Sequence, residues 1–259
     1  MIMTRPVRFT TNMAPLRTMF QALGGQCLAD YGSWVVYGFD GGRIALHAAD
    51  EHFPGGVTTF GFETDDLAAL AARSAQAAPA GVHIAAEETQ HGVAAVVRGV
   101  DGTVFTVDSL TEPVTTTDRP EAAEPAGMSA GVLVAPLWFT HDTATAVDTL
   151  TALGAQPRIG STDGGWTDLR TDSGLVAVHT AASAETVSPA TEASVGLSFE
   201  HTGNIDHLLG PLQDAGIEAT IIDESYGRSL RMPDPDRPGE QIWINEQQQD
   251  LYGYRALGD

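Results

Sequence analysis

The sequence predicts an α+β fold of four consecutive βαβββ modules, arranged as two tandem units. Three observations predict it. The phrase "GRIALHAAD" (42–50) returns as "GLVAVHTAA" (174–182), each with one histidine, His47 and His179, at the same place. Trp34 in "YGSWVVYGFDGG" and Trp166 in "DGGWTDLRTDSG" precede those histidines by the same interval, and "MFQALGGQ" (19–26) is matched by "LTALGAQP" (150–157). Within each unit the order strand, helix, three strands runs twice. Repetition at this scale marks a duplicated unit.

The first module opens with the strand-like "VRFTTN" (7–12). A helix follows in "APLRTMFQALGG" (14–25), with Leu16, Met19, Phe20 and Leu23 on one face and glycines at its C-terminal end. Strands are expected near Cys27–Tyr31, over 34–39 and over 43–48, the last two joined by the turn "DGG" (40–42). The second module begins with "TTFGFE" (58–63) and the helix "DDLAALAARSAQA" (65–77), whose two leading acids suit the positive end of a helix dipole. "HIAAEET" (83–89), "VAAVVRG" (93–99) and "TVFTVDS" (103–109) complete it as strands. The third module runs through "VLVAPLWFT" (132–140), the helix "TATAVDTLTALG" (143–154) and strands ending in "LVAVHT" (175–180). The fourth contains "VGLSFE" (195–200), "NIDHLLGPLQDAG" (204–216), "ATIIDES" (219–225), "GRSLRMP" (227–233) and "EQIWINE" (240–246). One domain is therefore expected over 1–110 (modules 7–50 and 57–110) and another over 131–259 (modules 131–182 and 193–250). Residues 111–130 are rich in Thr, Pro, Ala and Glu without apolar periodicity, and read as a linker.

The 259 residues are 42% hydrophobic, enough for sizeable cores. The net charge of −21 repels phosphate backbones and anionic lipid, so neither a nucleic-acid nor a membrane partner is expected. All 13 basic residues are arginine, which removes Schiff-base and P-loop lysine chemistry. Cys27 is the one cysteine, so no intrachain disulfide forms; it is read as a small buried hydrophobe. No apolar run reaches the length of a membrane span. The expectation is a soluble cytoplasmic protein, monomer or homodimer, with a small-molecule ligand. Motifs for hydrolase, zincin, zinc-ribbon or dinucleotide chemistry are missing.

Four such modules, with "RMPDPDRPGEQIWINEQ" (231–247) near the end, resemble the vicinal oxygen chelate superfamily. That group holds glyoxalase I, extradiol dioxygenases, fosfomycin-resistance enzymes and bleomycin-resistance proteins. Asp234-Pro235-Asp236 before a strand ending in Glu is its most recognisable phrase, and "INEQQQDLYGYR" (244–255) is similar to uncharacterised actinobacterial members. The resemblance implies two glyoxalase-like domains, each wrapping curved sheets around one cavity. It also implies, in the catalytic members, a divalent metal held by His or Gln from a module's first strand and Glu from its last. Here the corresponding last-strand places hold Ala45, Phe105, Ala177 and Trp243, and no His or Gln stands near the start of a first strand. The expectation is no metal, no cofactor and an aromatic-lined cleft.

Side chains alternate along a strand, so His47 and His179 share a face with Ala45 and Ala177. Each histidine has a functional reading, as hydrogen-bond donor, acid–base group or part of a displaced metal site. The structural reading is a partly exposed strand residue bonded to a neighbouring carbonyl. Phe105 and Trp243, with Trp34 and Trp166, suit a flat organic ligand. Arg228 and Arg231 face opposite sides of their strand; Arg228 is the candidate contact for an anionic ligand. His141, His201 and Glu246 imitate a metal triad, but Asp142 and Thr202 beside them look like helix caps, and the capping reading is preferred. Glu63 and Glu200 read as solvated charges. The function expected first is metal-independent binding of a small organic ligand, as in sequestration of an antibiotic or metabolite. The alternative is a metal- or His-dependent lyase, isomerase or dioxygenase, and a third reading is a structural partner without a ligand.

Overall fold

The computed structural model of the chain describes residues 1–89, 92–110, 131–181, 193–224 and 226–258, so the expected linker at 111–130 lies outside the described residues. The first half comprises β1 (Ile2–Thr4), β2 (Val7–Thr10), α1 (Met13–Ala22), β3 (Gln26–Asp30), β4 (Trp34–Gly38), β5 (Arg43–Ala48), β6 (Thr58–Thr59), β7 (Gly61–Thr64), α2 (Leu67–Ala77), β8 (His83–Thr89), β9 (Gly92–Arg98) and β10 (Val104–Ser109). The second half comprises β11 (Val132–Val134), β12 (Leu137–Thr140), α3 (Thr143–Leu153), β13 (Gln156–Ser161), β14 (Trp166–Arg170), β15 (Leu175–Thr180), β16 (Ala193–Gly196) and β17 (Ser198–His201). A 3-10 turn (Ile205–Leu208), α4 (Leu209–Asp214), β18 (Thr220–Glu224), β19 (Gly227–Pro233), β20 (Gln241–Glu246) and β21 (Tyr254–Ala256) complete it. The fold class is α+β, and each expected module contributes one mixed sheet with its helix.

The sheets also exchange strands, which the sequence did not signal. Their orders are β3-β4-β5-β2-β6 and β1-β7-β10-β9-β8 in the first half, then β16-β12-β15-β14-β13-β21 and β11-β17-β20-β19-β18 in the second. Thus β1 leaves the first module to pair with β7 of the second, and β6 crosses back to β2. The second half repeats the exchange with β11 and β16. Pro6 and Pro136 stand at the breaks. Proline removes a ladder donor and fixes its own φ, so "IMTRPVRFT" and "VLVAPLWFT" each split into two strands on different sheets.

The helix-side face of each sheet builds the core, and the core is shared between halves. Leu16, Phe20 and Ile44 of the first module pack in one cluster with Phe199, Leu212 and Ile244 of the fourth. Phe62, Leu70 and Val107 of the second pack with Trp138, Leu150 and Val178 of the third. Burying these faces leaves the concave faces free to form two cups.

Two reciprocal contacts tie the halves together. Arg8 on β2 is buried; its Nη2 donates to both oxygens of Asp234 at 2.5 and 2.6 Å, and its Nη1 to the carbonyl of Gly56 at 2.6 Å. Asp236 accepts from Thr10 Oγ1 at 2.9 Å and from the Thr11 amide and Asn12 side-chain amide at 3.0 Å. Trp138 holds the matching place on β12, and its indole N–H donates to Asp101 at 3.0 Å. The recognisable Asp-Pro-Asp phrase is therefore a clamp on the other half. Cys27, expected to be buried, is exposed on β3, the edge strand of its sheet.

Candidate functional site

A cavity of about 1690 Å³ opens in the cup of the first half, and Val195 and Arg237 of the second half also line it. Alternation along β5 turns Ile44 and Leu46 to the core and Arg43 and His47 to the cavity. Strand register then surrounds His47 with rings. Trp34 lies opposite it on β4 and Phe9 opposite it on β2. Their ring centres are 5.7 and 5.3 Å from the imidazole, and Phe53 stacks on Phe9 at 4.2 Å. His47 Nδ1 is 2.7 Å from the carbonyl of Ala48. A carbonyl only accepts, so the neutral ring carries its proton on Nδ1 and keeps a lone pair on Nε2. The carbonyl bond of the structural reading is present, and it is also what leaves Nε2 basic.

Behind the indole lies a group of charges that the sequence did not bring together. Glu63 on β7 accepts from Arg43 Nη1 at 2.9 Å and lies 3.1 Å from Arg5 Nε. Arg5 Nη2 donates to Asp108 on β10, and the Arg5 guanidinium lies over the Trp34 ring, 5.6 Å from its centre. The side chains of Arg5 and Glu63 are only 6% and 3% exposed. Arg5 Nη1 is buried with no hydrogen-bond partner. Glu63 and Glu200 are thus not solvated charges. Both are buried, and burial of a lone carboxylate costs too much to persist unpaired, so arginine meets each. In the second half Arg158 bonds Glu200 and Asp168 together.

The second cup repeats the Trp–His pair with a different outcome. Trp166 lies opposite His179, and His179 Nδ1 is 2.7 Å from the carbonyl of Thr180. Strand β21 adds to this sheet, its Tyr254 packs on Trp166 with ring centres 5.6 Å apart, and His179 is exposed. Trp243 faces the second cup beneath Arg231, 5.3 Å from the guanidinium. His179, Trp166 and Trp243 are therefore not gathered with His47 and Trp34.

Two candidates point elsewhere. Phe105 packs its ring into the core, against Phe60, Phe62 and Trp138, and also borders the cavity. Its neighbours Thr106 and Asp108 hold the cup-facing places of β10. Arg228 shares the helix-side face with Leu230 and Met232, bonded to Asp206, Asn204 and Glu246. The arginine on the cup side of that strand is Arg231. The capping reading applies at Asp142, which accepts from the Thr145 amide at 3.0 Å. His201 is buried and accepts from the Gly203 amide at 3.1 Å.

Among the described residues no group of three or more His, Cys, Asp or Glu side chains is arranged to hold a metal ion. The carboxylates on the cup floors, Glu63 and Glu200, are already bonded to guanidinium groups. This donor set does not fit a divalent ion that needs three converging protein ligands. No helix among the described residues is long and apolar enough to cross a membrane.

No family model matches the chain, and no curated protein matches it. Solved structures do. Catechol 2,3-dioxygenase aligns with a TM-score of 0.60 at 15% identity, over 99% of this chain and 94% of that one. The 2,2',3-trihydroxybiphenyl 1,2-dioxygenase of Sphingomonas wittichii RW1 aligns with a TM-score of 0.57 at 16% identity, over 99% and 91%. The Mn(II)-bound glyoxalase of Novosphingobium aromaticivorans gives 0.56 at 14% identity, over 95% and 81%. The chain has the vicinal oxygen chelate fold that its sequence resembles. These neighbours are dioxygenases and a Mn(II)-bound glyoxalase, which corrects the expectation of metal-independent binding of a small organic ligand.

Proposed function

We propose that the chain is an enzyme whose first cup binds a small hydroxylated aromatic compound and accepts the proton of its hydroxyl group on His47. One observation carries this reading: an imidazole fixed with its proton on Nδ1 lines the cavity inside a collar of Phe9 and Trp34. The aromatic diols and triols named for the neighbouring dioxygenases support the substrate class.

The chemistry follows from the residues. The O–H bond of the ligand breaks, its proton joins the lone pair on His47 Nε2, and the electron pair stays on oxygen as phenolate. The Ala48 carbonyl stabilises the imidazolium formed, because Nδ1–H then donates from a cation. Phe9 and Trp34 shield part of the His47 ring from water, which strengthens the charge interactions beside them. A positioned base of this kind contributes about 10²–10⁴ in rate. Among the described residues no group of side chains fits a metal ion, so no step is routed through one. A small-molecule partner, a cytoplasmic setting and a monomeric or homodimeric state belong to the same proposal. The net charge of −21 supports them only in disfavouring nucleic acid.

The test uses 4-nitrocatechol, whose absorbance reports its ionisation, at a pH where the free probe is protonated. The intact protein is expected to bind it ionised, and the His47→Phe variant to bind it neutral. A bound probe that stays protonated, or ionises equally in the variant, ends the proposal. Turnover of catechol is followed in parallel with and without added Mn(II) or Fe(II). Conversion that needs the ion and survives His47→Phe would move the chemistry away from His47.

A further inference from the structure

We infer that the C-terminal segment 247–258 is an internal plug of the second cup, its Tyr254 phenol seated beside Trp166 where a ligand ring would lie. Displacing it exposes a second site, whose ligand is a phenol. The inference concerns the other cup and does not depend on the base assigned to His47.

The first argument is internal symmetry. Strands β3 and β13 carry the same register shift, between Cys27 and Ala29 and between Pro157 and Ile159, so their outer edges correspond. Trp34 and Trp166 lie opposite His47 and His179 in the same way. In the first half Ala29, Asp30 and Tyr31 border the open cavity together with Trp34, and among the described residues no strand adds to the outer edge of β3. In the second half the matching edge, Ile159 to Ser161, carries β21, and a ring already lies against the tryptophan.

The second argument is the chemistry of the occupant. Alternation along β14 turns Leu169 to the core and Trp166 to the cup, and Tyr254 reaches Trp166 from its place opposite Ser161. The two rings meet edge to face, with centres 5.6 Å apart and planes at 89°, a favoured aromatic geometry. Burial, and then the charge of Asp163, raises the Tyr254 hydroxyl. Burial also raises the Tyr226 hydroxyl of the fourth module, and Tyr254 adds to that rise, so the phenol stands between the third and fourth modules. A cup that takes this phenol from its own chain offers the same contacts to a free one.

The third argument is attachment. Strand β21 has three residues at the edge of its sheet, and none of them belongs to a core cluster. On either side of it the Thr162 amide donates to the carbonyl of Gly253 and the Leu257 amide to that of Arg158, both at 2.9 Å. Leu251, Tyr252 and Leu257 around it are exposed. An edge segment with so little burial opens at far lower free energy than the fold, and a ligand that binds only the open state shifts it further.

The probe is p-cresol, the tyrosine side chain as a free molecule, counted per chain by equilibrium dialysis. Gly160 lies opposite Arg255 between the two flanking bonds, so Arg255→Pro breaks the ladder and detaches β21, whereas Tyr254→Ala removes only the ring. The intact protein is expected to hold one p-cresol, in the first cup, and each variant two. Adding Trp166→Ala to Arg255→Pro should return the count to one. A count of one in both variants, of two in the intact protein, or a second p-cresol that persists without Trp166, overturns the plug. None in the intact protein and one in each variant would leave the plug standing and remove the first cup as a phenol site; none anywhere overturns both. Hydrogen exchange of the intact protein decides the matter should the variants fail to fold. The amides of Thr162, Arg255 and Leu257 are expected to exchange at least about tenfold faster than those of Leu169 and Val178 in the same sheet, and faster still with p-cresol. Protection equal to theirs, or unchanged by p-cresol, makes β21 a fixed part of the sheet and overturns the plug.

Discussion

His47 and His179 have the same bond to the next carbonyl and the same tryptophan opposite, and differ in what lies beyond. One lines an open cavity; the other is exposed beside a tryptophan already packed on Tyr254. A residue's chemistry therefore depends on its second layer of neighbours. Arg8 and Trp138 make the same point for stability, since they hold matching places and clamp opposite halves, one with a charge and one without. Arg8→Met leaves Asp234 and Asp236 buried without their cation, and is expected to cost about 3–5 kcal/mol. Trp138→Phe leaves Asp101 without its donor and opens a cavity where the fully buried indole stood, and is expected to cost at least about 1–3 kcal/mol. Urea unfolding of the two variants measures both, and a loss under about 1 kcal/mol in either would contradict the assignment.

At the scale of elements, α2 and α3 carry their own N-caps, since Asp66 accepts from the Ala69 amide and Asp142 from the Thr145 amide. Helix α1 has no such cap from Asn12, whose side chain donates instead to the carbonyl of Pro235 and to Asp236. Its start is held by the other half. Asp142→Ala is accordingly expected to cost about 1 kcal/mol in denaturant unfolding. Gly154 ends α3 at φ 112°, so Gly154→Ala should destabilise by at least a similar amount, about 1 kcal/mol. The strand holding Phe105 shows how an element is misread. "TVFTV" alternates in either register, and a slip of one residue exchanges its faces. The pairing of Thr106 with Gly61 and Asp108 with Glu63 decides which face meets the cup.

For the whole molecule the shared core has a direct consequence. Residues 1–110 alone would expose the α1 face that α4 and the fourth module cover, including Leu16 and Phe20. The isolated segment is expected to bind a hydrophobic dye and show no cooperative melting, whereas the intact chain melts in one transition by calorimetry. Acid should loosen the same clamp. Burial works to raise the Asp236 carboxyl, but the hydrogen bonds from Asn12, Thr10 and Thr11 and the charge of Arg8 outweigh it and hold it below its ordinary value. Arg228 likewise holds Glu246 low. Folded groups with lowered values bind protons less readily than unfolded ones. Their contribution is complete above the ordinary carboxylate value of about 4 and is lost as pH falls below it. Urea midpoints measured from neutral pH downward should drop there, and Asp236→Asn should flatten the drop.

The amino-acid sequence by itself determined the modules, the four helical segments, the hairpin turns and the matched Trp–His pairs. Those features rest on periods of two and 3.6 residues and on turn chemistry, which act between near neighbours. Only the tertiary structure decided that β1 and β6 change sheets, and that Asp234 meets Arg8. Only the tertiary structure decided, too, that Arg5, Arg43, Glu63 and Asp108 gather behind Trp34 in a cup left open while β21 borders the other. Those contacts join residues far apart in the chain. Their formation depends on which faces must be buried together and which buried charges must find a partner, and no local pattern encodes that choice.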